Sequence, residues 1–183
     1  ELIGKGLKDR VILVTGAAGS IGSEIMRQLT QFPIKELILV DQAETPMFHI
    51  QNELKEKYSS VSVHPILADV TNRKKMENIF RQHKPNIVFH AAAYKHVPLM
   101  EENPHEAIRV NIGGTMLITE LSVKYRIKKF VLISTDKAVN PTNIMGASKR
   151  VCEMIVQMHT QKAESNTQFV ITRFGNVLGS NGS

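Results

Sequence analysis

An apolar run, Val11-Ile12-Leu13-Val14, leads directly into Thr15-Gly16-Ala17-Ala18-Gly19-Ser20-Ile21-Gly22, and a helical pattern starts at once. Glycines at 16, 19 and 22 permit a tight turn, a close backbone approach to a pyrophosphate, and helix-on-strand packing. Backbone N–H groups at the helix start, with the helix dipole behind them, would hold the phosphate charge. Ala18, Ser20 and Ile21 join the glycines as cofactor contacts on this reading. A glycine triplet alone is weak evidence, since glycine-rich turns occur in many loops; the strand-loop-helix setting gives this one its weight. The next apolar run ends at Asp41, 19 residues after Gly22, where a carboxylate meets the adenosine ribose hydroxyls. A carboxylate there repels a 2′-phosphate, which favours NAD over NADP; a turn or cap role is the alternative for Asp41. Two further segments fit the same cleft. Asp69-Val70 follows a third run and offers an acceptor for the adenine amino group, and Ala91-Ala92-Ala93 follows a fourth, leaving room for a cofactor.

These residues must be positioned by strands and helices, and the chain alternates the two throughout. Val11 to Val14, Leu37 to Val40, Val61 to Leu67, Ile87 to Phe89, Phe130 to Ile133 and Phe169 to Thr172 are near-continuous apolar runs. Strands buried on both faces read this way. Helical spacing joins Ile21, Ile25, Met26 and Leu29; Met47, Ile50 and Leu54; and Met76, Ile79 and Phe80. It continues through Ile108, Ile112, Leu117, Ile118 and Leu121, then Val151, Ile155 and Met158. The pattern predicts an α/β, doubly wound parallel sheet of the Rossmann type, with helices on both faces. Residues 1–10 read as a polar lead-in and 11–183 as the dinucleotide-binding domain, cut before a carboxy-terminal substrate lobe. His90 reads as packed, Cys152 as a buried helix residue, and Met145, Met154 and Met158 as core and cleft lining.

Composition bounds the function. With 183 residues, 42% of them hydrophobic, the chain can fill a sizeable core without disulfides or a structural metal. A single cysteine excludes an internal disulfide framework and fits a reducing compartment, the cytoplasm. No apolar run approaches the ~20 residues of a membrane-spanning helix. No signal peptide is evident and the first residue is Glu1, so the chain reads as a piece of a longer protein. Net charge is +6, which suits an anionic partner. The basic residues are scattered, with small groups only at Arg73-Lys74-Lys75 and around Lys124, Arg126, Lys128 and Lys129, where helix ends fall. Tryptophan is absent and aromatic and basic residues do not interleave, so a phosphorylated metabolite is expected rather than nucleic acid. The seven histidines and the one cysteine lack metal-ligand spacing, and no metal is expected.

The sequence resembles the short-chain dehydrogenase/reductase superfamily, in its extended branch acting on nucleotide sugars. The resemblance rests on the glycine loop, Asp41, Asp69, His90 to Ala93, Asn111, Ser134-Thr135-Asp136-Lys137 and Lys149, and covers nearly the whole chain. More narrowly, Ala92-Ala93-Tyr94-Lys95-His96-Val97-Pro98, Thr135 to Asn143, and Arg173 to Ser180 look like the CapD-type polysaccharide biosynthesis proteins. Those are UDP-N-acetylglucosamine 4,6-dehydratases and their relatives. The resemblance implies NAD, a UDP-sugar substrate, a homo-oligomer, and a parent protein anchored to the membrane through an amino-terminal region.

The implied reaction removes hydride from sugar C4, eliminates water across C5–C6 and returns the hydride to C6. By analogy Asp136 is the acid, Lys137 the base, and Thr135 a partner of the 4-hydroxyl. An acid at neutral pH calls for a raised carboxyl pKa and a basic lysine for a lowered one, in a dry pocket that adjacent residues could share. Lys149 would hold the nicotinamide ribose, and Asn111 would shape the active-site helix. Lys95, His96 and Asn176 would face phosphate or sugar. The departure from the superfamily is Met145, which stands four residues before Lys149 where a Tyr is usual. A thioether carries no proton, so the 4-hydroxyl proton must go to another group or to a water held by Thr135 or Lys149. Some members of the CapD-type group share this Met. A UDP-sugar 4-epimerase and an NAD-binding module without catalysis are the competing readings. The paired Asp136-Lys137 argues against the first, and retention of Thr135, Asp136, Lys137 and Lys149 against the second.

Overall fold

The computed structural model describes residues 2–58, 61–161, 166–175 and 177. Every residue of β1 (Val11–Thr15) is buried, because alternate side chains serve opposite layers. Val11 and Leu13 enter one apolar cluster, and Ile12 and Val14 enter the other. β2 (Glu36–Asp41) divides in the same way, with Ile38 and Val40 on the first face and Leu37 and Leu39 on the second. β3 (Val63–Leu67), β4 (Ile87–His90), β5 (Lys129–Thr135) and β6 (Gln168–Phe174) complete one sheet in the order β3-β2-β1-β4-β5-β6. All pairings are parallel. β3 pairs on one side only, where Pro65 is tolerated, and it begins at Val63 rather than Val61.

Helices α2 (Ser20–Leu29) and α3 (Glu44–Lys57) cover the second face through Met26, Leu29, Met47, Ile50 and Leu54. The first face is covered by α4 (Arg73–His83), α7 (Gly114–Lys124) and α8 (Ile144–Gln161), which contribute Met76, Phe80, Ile118, Leu121, Cys152 and Val156. Strand order reverses between β1 and β4, so a cleft opens at their carboxyl ends, the usual ligand site of such sheets. Among the described residues no helix is long and apolar enough to cross a membrane.

Three expectations change. The lead-in contains a helix, α1 (Leu2–Leu7), whose Leu7 is buried in the second cluster. The helical stretch after α5 (Val97–Glu102) and the short α6 (Pro104–Glu106) is a π-helix from Ala107 to Gly113 before it becomes α7. The wider turn shifts the apolar stripe, so Ile108 is 56% exposed while Asn111 is fully buried. On α8 the buried face is Ser148, Lys149, Cys152, Glu153, Val156 and His159, and Met154 and Met158 point to solvent at 56% and 49% exposure. An apolar count cannot place a face whose inner positions include a lysine and a glutamate.

Candidate active site

The first turn of the cleft is forced by contact distances. Gly16 has φ +69°, and a Cβ there would lie 2.5 Å from the Ala92 nitrogen. At Gly22 a Cβ would lie 2.0 Å from the Gly16 carbonyl oxygen. The loop and the Ala91-Ala92-Ala93 segment are therefore in backbone contact, which brings the ends of β1 and β4 together under the cleft. Ser20 and Ile21 begin α2 on the cleft wall, with Gly19 at its N-cap position. The cleft holds about 780 Å³ and is walled by the glycine loop, Asp41, Asp69, Val70, the three alanines, Thr135, Lys137, Met145 and Lys149. That size lies within the range of cofactor sites.

Asp41 ends β2 and is held by the loop it faces. Its Oδ2 accepts from the Ala18 N–H at 2.9 Å and its Oδ1 from the Ala43 N–H at 3.0 Å. Each oxygen keeps a lone pair for a ribose hydroxyl. Asp69 is more heavily engaged. Its Oδ1 accepts from the N–H and hydroxyl of Thr71, both at 2.8 Å, and its Oδ2 accepts from Arg109 Nη1 at 2.9 Å. Burial opposes its charge, but the bonds from Thr71 and Arg109 outweigh that and hold the carboxyl below the usual range. An adenine amino group would share this carboxylate with Arg109. The residues fit a dinucleotide: a glycine cradle for pyrophosphate, Asp41 for the ribose, and Asp69 beside the adenine position.

Asn111 does not line the cleft. Its Oδ1 accepts from the Tyr94 N–H at 2.8 Å, and its Nδ2 donates to the Tyr94 carbonyl at 3.1 Å and to Ser148 Oγ at 2.9 Å. It therefore shapes the wall, fixing the chain after β4 against α8. Lys149 is buried, and its Nζ donates to the Ile133 carbonyl at 2.6 Å. Burial lowers its pKa. Met145, one turn earlier, packs with Met100 and Ala107 and presents apolar surface to the cleft. His90 lies beneath, between Thr15 Oγ1 at 2.6 Å and Thr115 Oγ1 at 3.1 Å. Burial, then the charge of Lys149, brings its pKa down to about 3, so it stays neutral.

Thr135, the last residue of β5, turns the chain into a 3₁₀ turn over Asp136–Ala138. Thr135 Oγ1 donates to Asp136 Oδ1 at 2.9 Å, and Lys137 Nζ reaches the same oxygen at 3.3 Å. A Cβ at Gly146 would sit 2.3 Å from the Lys137 carbonyl oxygen, so α8 approaches this turn as closely as backbone allows. Two expectations fail here. The side chains of Asp136 and Lys137 are 58% and 37% exposed, so they share no dry pocket. The hydrogen bond from Thr135, then that from Lys137, lowers the Asp136 pKa, opposite to the rise expected of a resting acid.

The family model described as "Polysaccharide biosynthesis protein" matches residues 12–183. The chain belongs to this family. The Staphylococcus aureus "Capsular polysaccharide biosynthesis protein CapD" is 50% identical over the whole chain, which spans 30% of that relative. The Campylobacter jejuni "UDP-N-acetylglucosamine 4,6-dehydratase (inverting)" is 33% identical over 94% of the chain and 50% of its own length. A Rickettsia canadensis "UDP-glucose 4-epimerase" is 32% identical over 96% of the chain and 51% of its length. Among solved structures, "Pen from Bacillus thuringiensis" superposes with TM-score 0.89 and 33% identity, covering 97% of this chain and 53% of that one. The chain thus spans 30% to 53% of these proteins, and the names of its relatives include both a dehydratase and an epimerase.

Within this polysaccharide biosynthesis domain, Lys95 and His96 are exposed side chains on the cleft wall. Asn176 lies outside the described residues. Sequence reasoning did not single out three other contributors. Tyr94 lines the cleft and its hydroxyl accepts from Gln42 Nε2 at 3.2 Å. Arg109 occupies Asp69. Glu153 is fully buried and accepts from Ser134 Oγ at 2.7 Å, from Arg173 Nε at 2.8 Å and Nη2 at 2.7 Å, and from Arg150 at 3.1 Å. The Arg173 bond, with those from Ser134 and Arg150, outweighs burial and holds the Glu153 pKa at about 2. Its signal was present: Glu153 stands one further turn along α8 from Met145 and Lys149.

Proposed function

We propose that this chain is the NAD-binding part of a nucleotide-sugar 4,6-dehydratase that converts UDP-N-acetylglucosamine to a 4-keto-6-deoxy sugar nucleotide for bacterial surface polysaccharide. The observation that carries the reading is the Thr135-Asp136-Lys137 turn, with Thr135 and Lys137 on the wall of the cleft that holds the glycine loop and Asp41. An epimerase inverts C4 and needs no acid for a leaving C6 hydroxyl, so the adjacent carboxyl and amine favour dehydration. The 33%-identical Campylobacter dehydratase supports this, and the 32%-identical Rickettsia epimerase keeps epimerisation as the second reading.

When bound, NAD supplies a hydride acceptor at C4 and a hydride donor at C6. The glycine loop and Asp41 hold it, and Asp41 selects it over NADP. Lys149, fixed on the Ile133 carbonyl, places a cation on the wall where a nicotinamide ribose would lie. Lys137 takes the C5 proton, which the 4-keto group has made acidic, and Asp136 protonates the departing hydroxyl.

The test uses the longer protein that carries this chain, incubated with UDP-N-acetylglucosamine and followed by mass spectrometry. A product lighter by one water, lost with Asp136→Asn, is expected. A product of unchanged mass with an altered sugar means epimerase. No product despite measured NAD binding removes the assignment for this substrate.

A further inference from the structure

The sheet order sets β1 between β2 and β4, which at ordinary strand spacing lie about 10 Å apart. The chain after β2 and the chain after β4 are therefore the two banks of the crevice, and the glycine loop after β1 is its floor. Gln42 and Tyr94 stand on opposite banks and both line the cleft. Gln42 Nε2 donates to the Tyr94 hydroxyl at 3.2 Å, and a bond between these banks has to pass over the end of β1. With that bond made the cleft still holds about 780 Å³, so the pair spans the site without filling it.

The two ends differ in stiffness. Asn111 pairs with both backbone groups of Tyr94, at 2.8 and 3.1 Å, and the Tyr94 side chain packs on the cluster of Met100, Ala107 and Met145. On the other bank Asp41 Oδ1 accepts from the Ala43 N–H at 3.0 Å, which fixes the backbone beside Gln42, while the Gln42 side chain is exposed. Gln42 can swing through its staggered rotamers, and Tyr94 is the post to which it returns.

We propose that Gln42 and Tyr94 form a strap across the cleft that opens to admit the dinucleotide, closes over it and retains it through successive turnovers. This rests on the reading of the cleft as the NAD site of a nucleotide-sugar enzyme, and it serves dehydratase and epimerase alike. Either reaction takes hydride from a sugar and returns it to the same sugar, so NAD is regenerated in every cycle and has no need to leave. An enzyme that delivers hydride to a second substrate must exchange its cofactor each time, and a strap would slow it. Here retention keeps the site loaded without loss of rate. Retention also matters midway, when escape of the reduced cofactor would strand an oxidised sugar with no hydride to take back.

The test is a double-mutant cycle on the rate of cofactor release. The longer protein that carries this chain is loaded with carbon-14-labelled NAD and chased with excess unlabelled NAD, and retained label is followed by rapid filtration. Tyr94→Phe removes the hydroxyl and keeps the ring on its apolar cluster, and Gln42→Ala removes the donor. Each should release label about 3- to 10-fold faster than the parent, the size that one net hydrogen bond supports. The double variant should be no faster than the faster single, because both substitutions cut the same bond. Release at the parent rate in either single variant overturns the strap and leaves the NAD site standing. A double variant accelerated by the product of the two single effects overturns it as well, since independent contacts to NAD would give that result. An unsubstituted protein that retains no label is instead a failure of the cofactor reading, and the strap falls with it.

Discussion

At Gly22 a methyl group would sit 2.0 Å from the Gly16 carbonyl oxygen and 2.8 Å from the Ala17 Cα, both backbone atoms that cannot step aside. Gly19 differs: its Cβ would meet only the Gly16 carbonyl oxygen, at 3.3 Å, and its backbone is already extended at φ −74° and ψ 166°. The two glycines therefore answer to different demands, one to the fold and one to a ligand. Gly22→Ala should lose about 2–3 kcal/mol in urea denaturation, as overpacking against backbone does. Gly19→Ala should hold its stability within ~1 kcal/mol while NAD affinity falls at least ~10-fold. Equal stability losses in the two variants would contradict this division. Asp41 makes a third case. Both its oxygens tie down loop N–H groups, so Asp41→Ala should cost affinity for NAD and, with the repulsion gone, narrow the preference over NADP. Titration of each nucleotide against each protein by fluorescence measures both effects.

Among the elements, the end of β4 joins the layers. His90 bridges Thr15 on β1 and Thr115 on α7, and burial keeps it neutral with a pKa near 3 against an ordinary value of 6.5. The unfolded chain protonates this imidazole near pH 6.5 and the folded chain does not, so the unfolded state binds the extra proton between those values. Stability is present at neutral pH and falls as pH drops below about 6.5, by up to ~1.4 kcal/mol per unit. Urea midpoints at pH 7, 6 and 5 should fall along this slope, and His90→Gln should flatten it. An equal slope in both proteins places the effect elsewhere. The π-helix carries the second test. Asn111→Ala strips partners from both backbone groups of Tyr94 and from Ser148, and should cost about 2–4 kcal/mol. Lower NAD affinity should accompany it, since Tyr94 and Lys95 then lose their anchor. The strand runs, the glycine loop and Asp41 were legible because burial on both faces and the need for φ > 0 each leave a mark on residue type. The π-turn was not, because one extra residue per turn shifts Ile108 outward and Asn111 inward with no change in composition. The ionised state of Asp136 was hidden for a similar reason: adjacency in sequence gives no hint that Thr135 and Lys137 would both donate to one oxygen.

For the whole molecule, the chain spans 30% of its capsular relative and half of the Campylobacter dehydratase, and on the proposed reading its cleft would hold one of the two ligands of the reaction. On that reading a dinucleotide would meet the glycine cradle, Asp41 and Lys149 on the wall. Lys95 and His96 are exposed on that wall, where the proposed reading would set them toward the sugar nucleotide. A ligand that binds only the folded state stabilises it by ~2.7 kcal/mol at 100 times its Kd, which for a chain of this size is roughly 5–10 °C in Tm. NAD at that excess should therefore raise the Tm of this chain by such an amount. UDP-N-acetylglucosamine alone should move it by less than ~1 °C if, as the proposed reading has it, most of its binding surface lies outside this chain. In the longer protein both ligands should raise Tm, and the second should add to the first. A full-sized shift with the sugar nucleotide on this chain alone would mean that the substrate site is already complete within it. The absence of any shift with NAD would remove the basis for reading the glycine loop as a cofactor site.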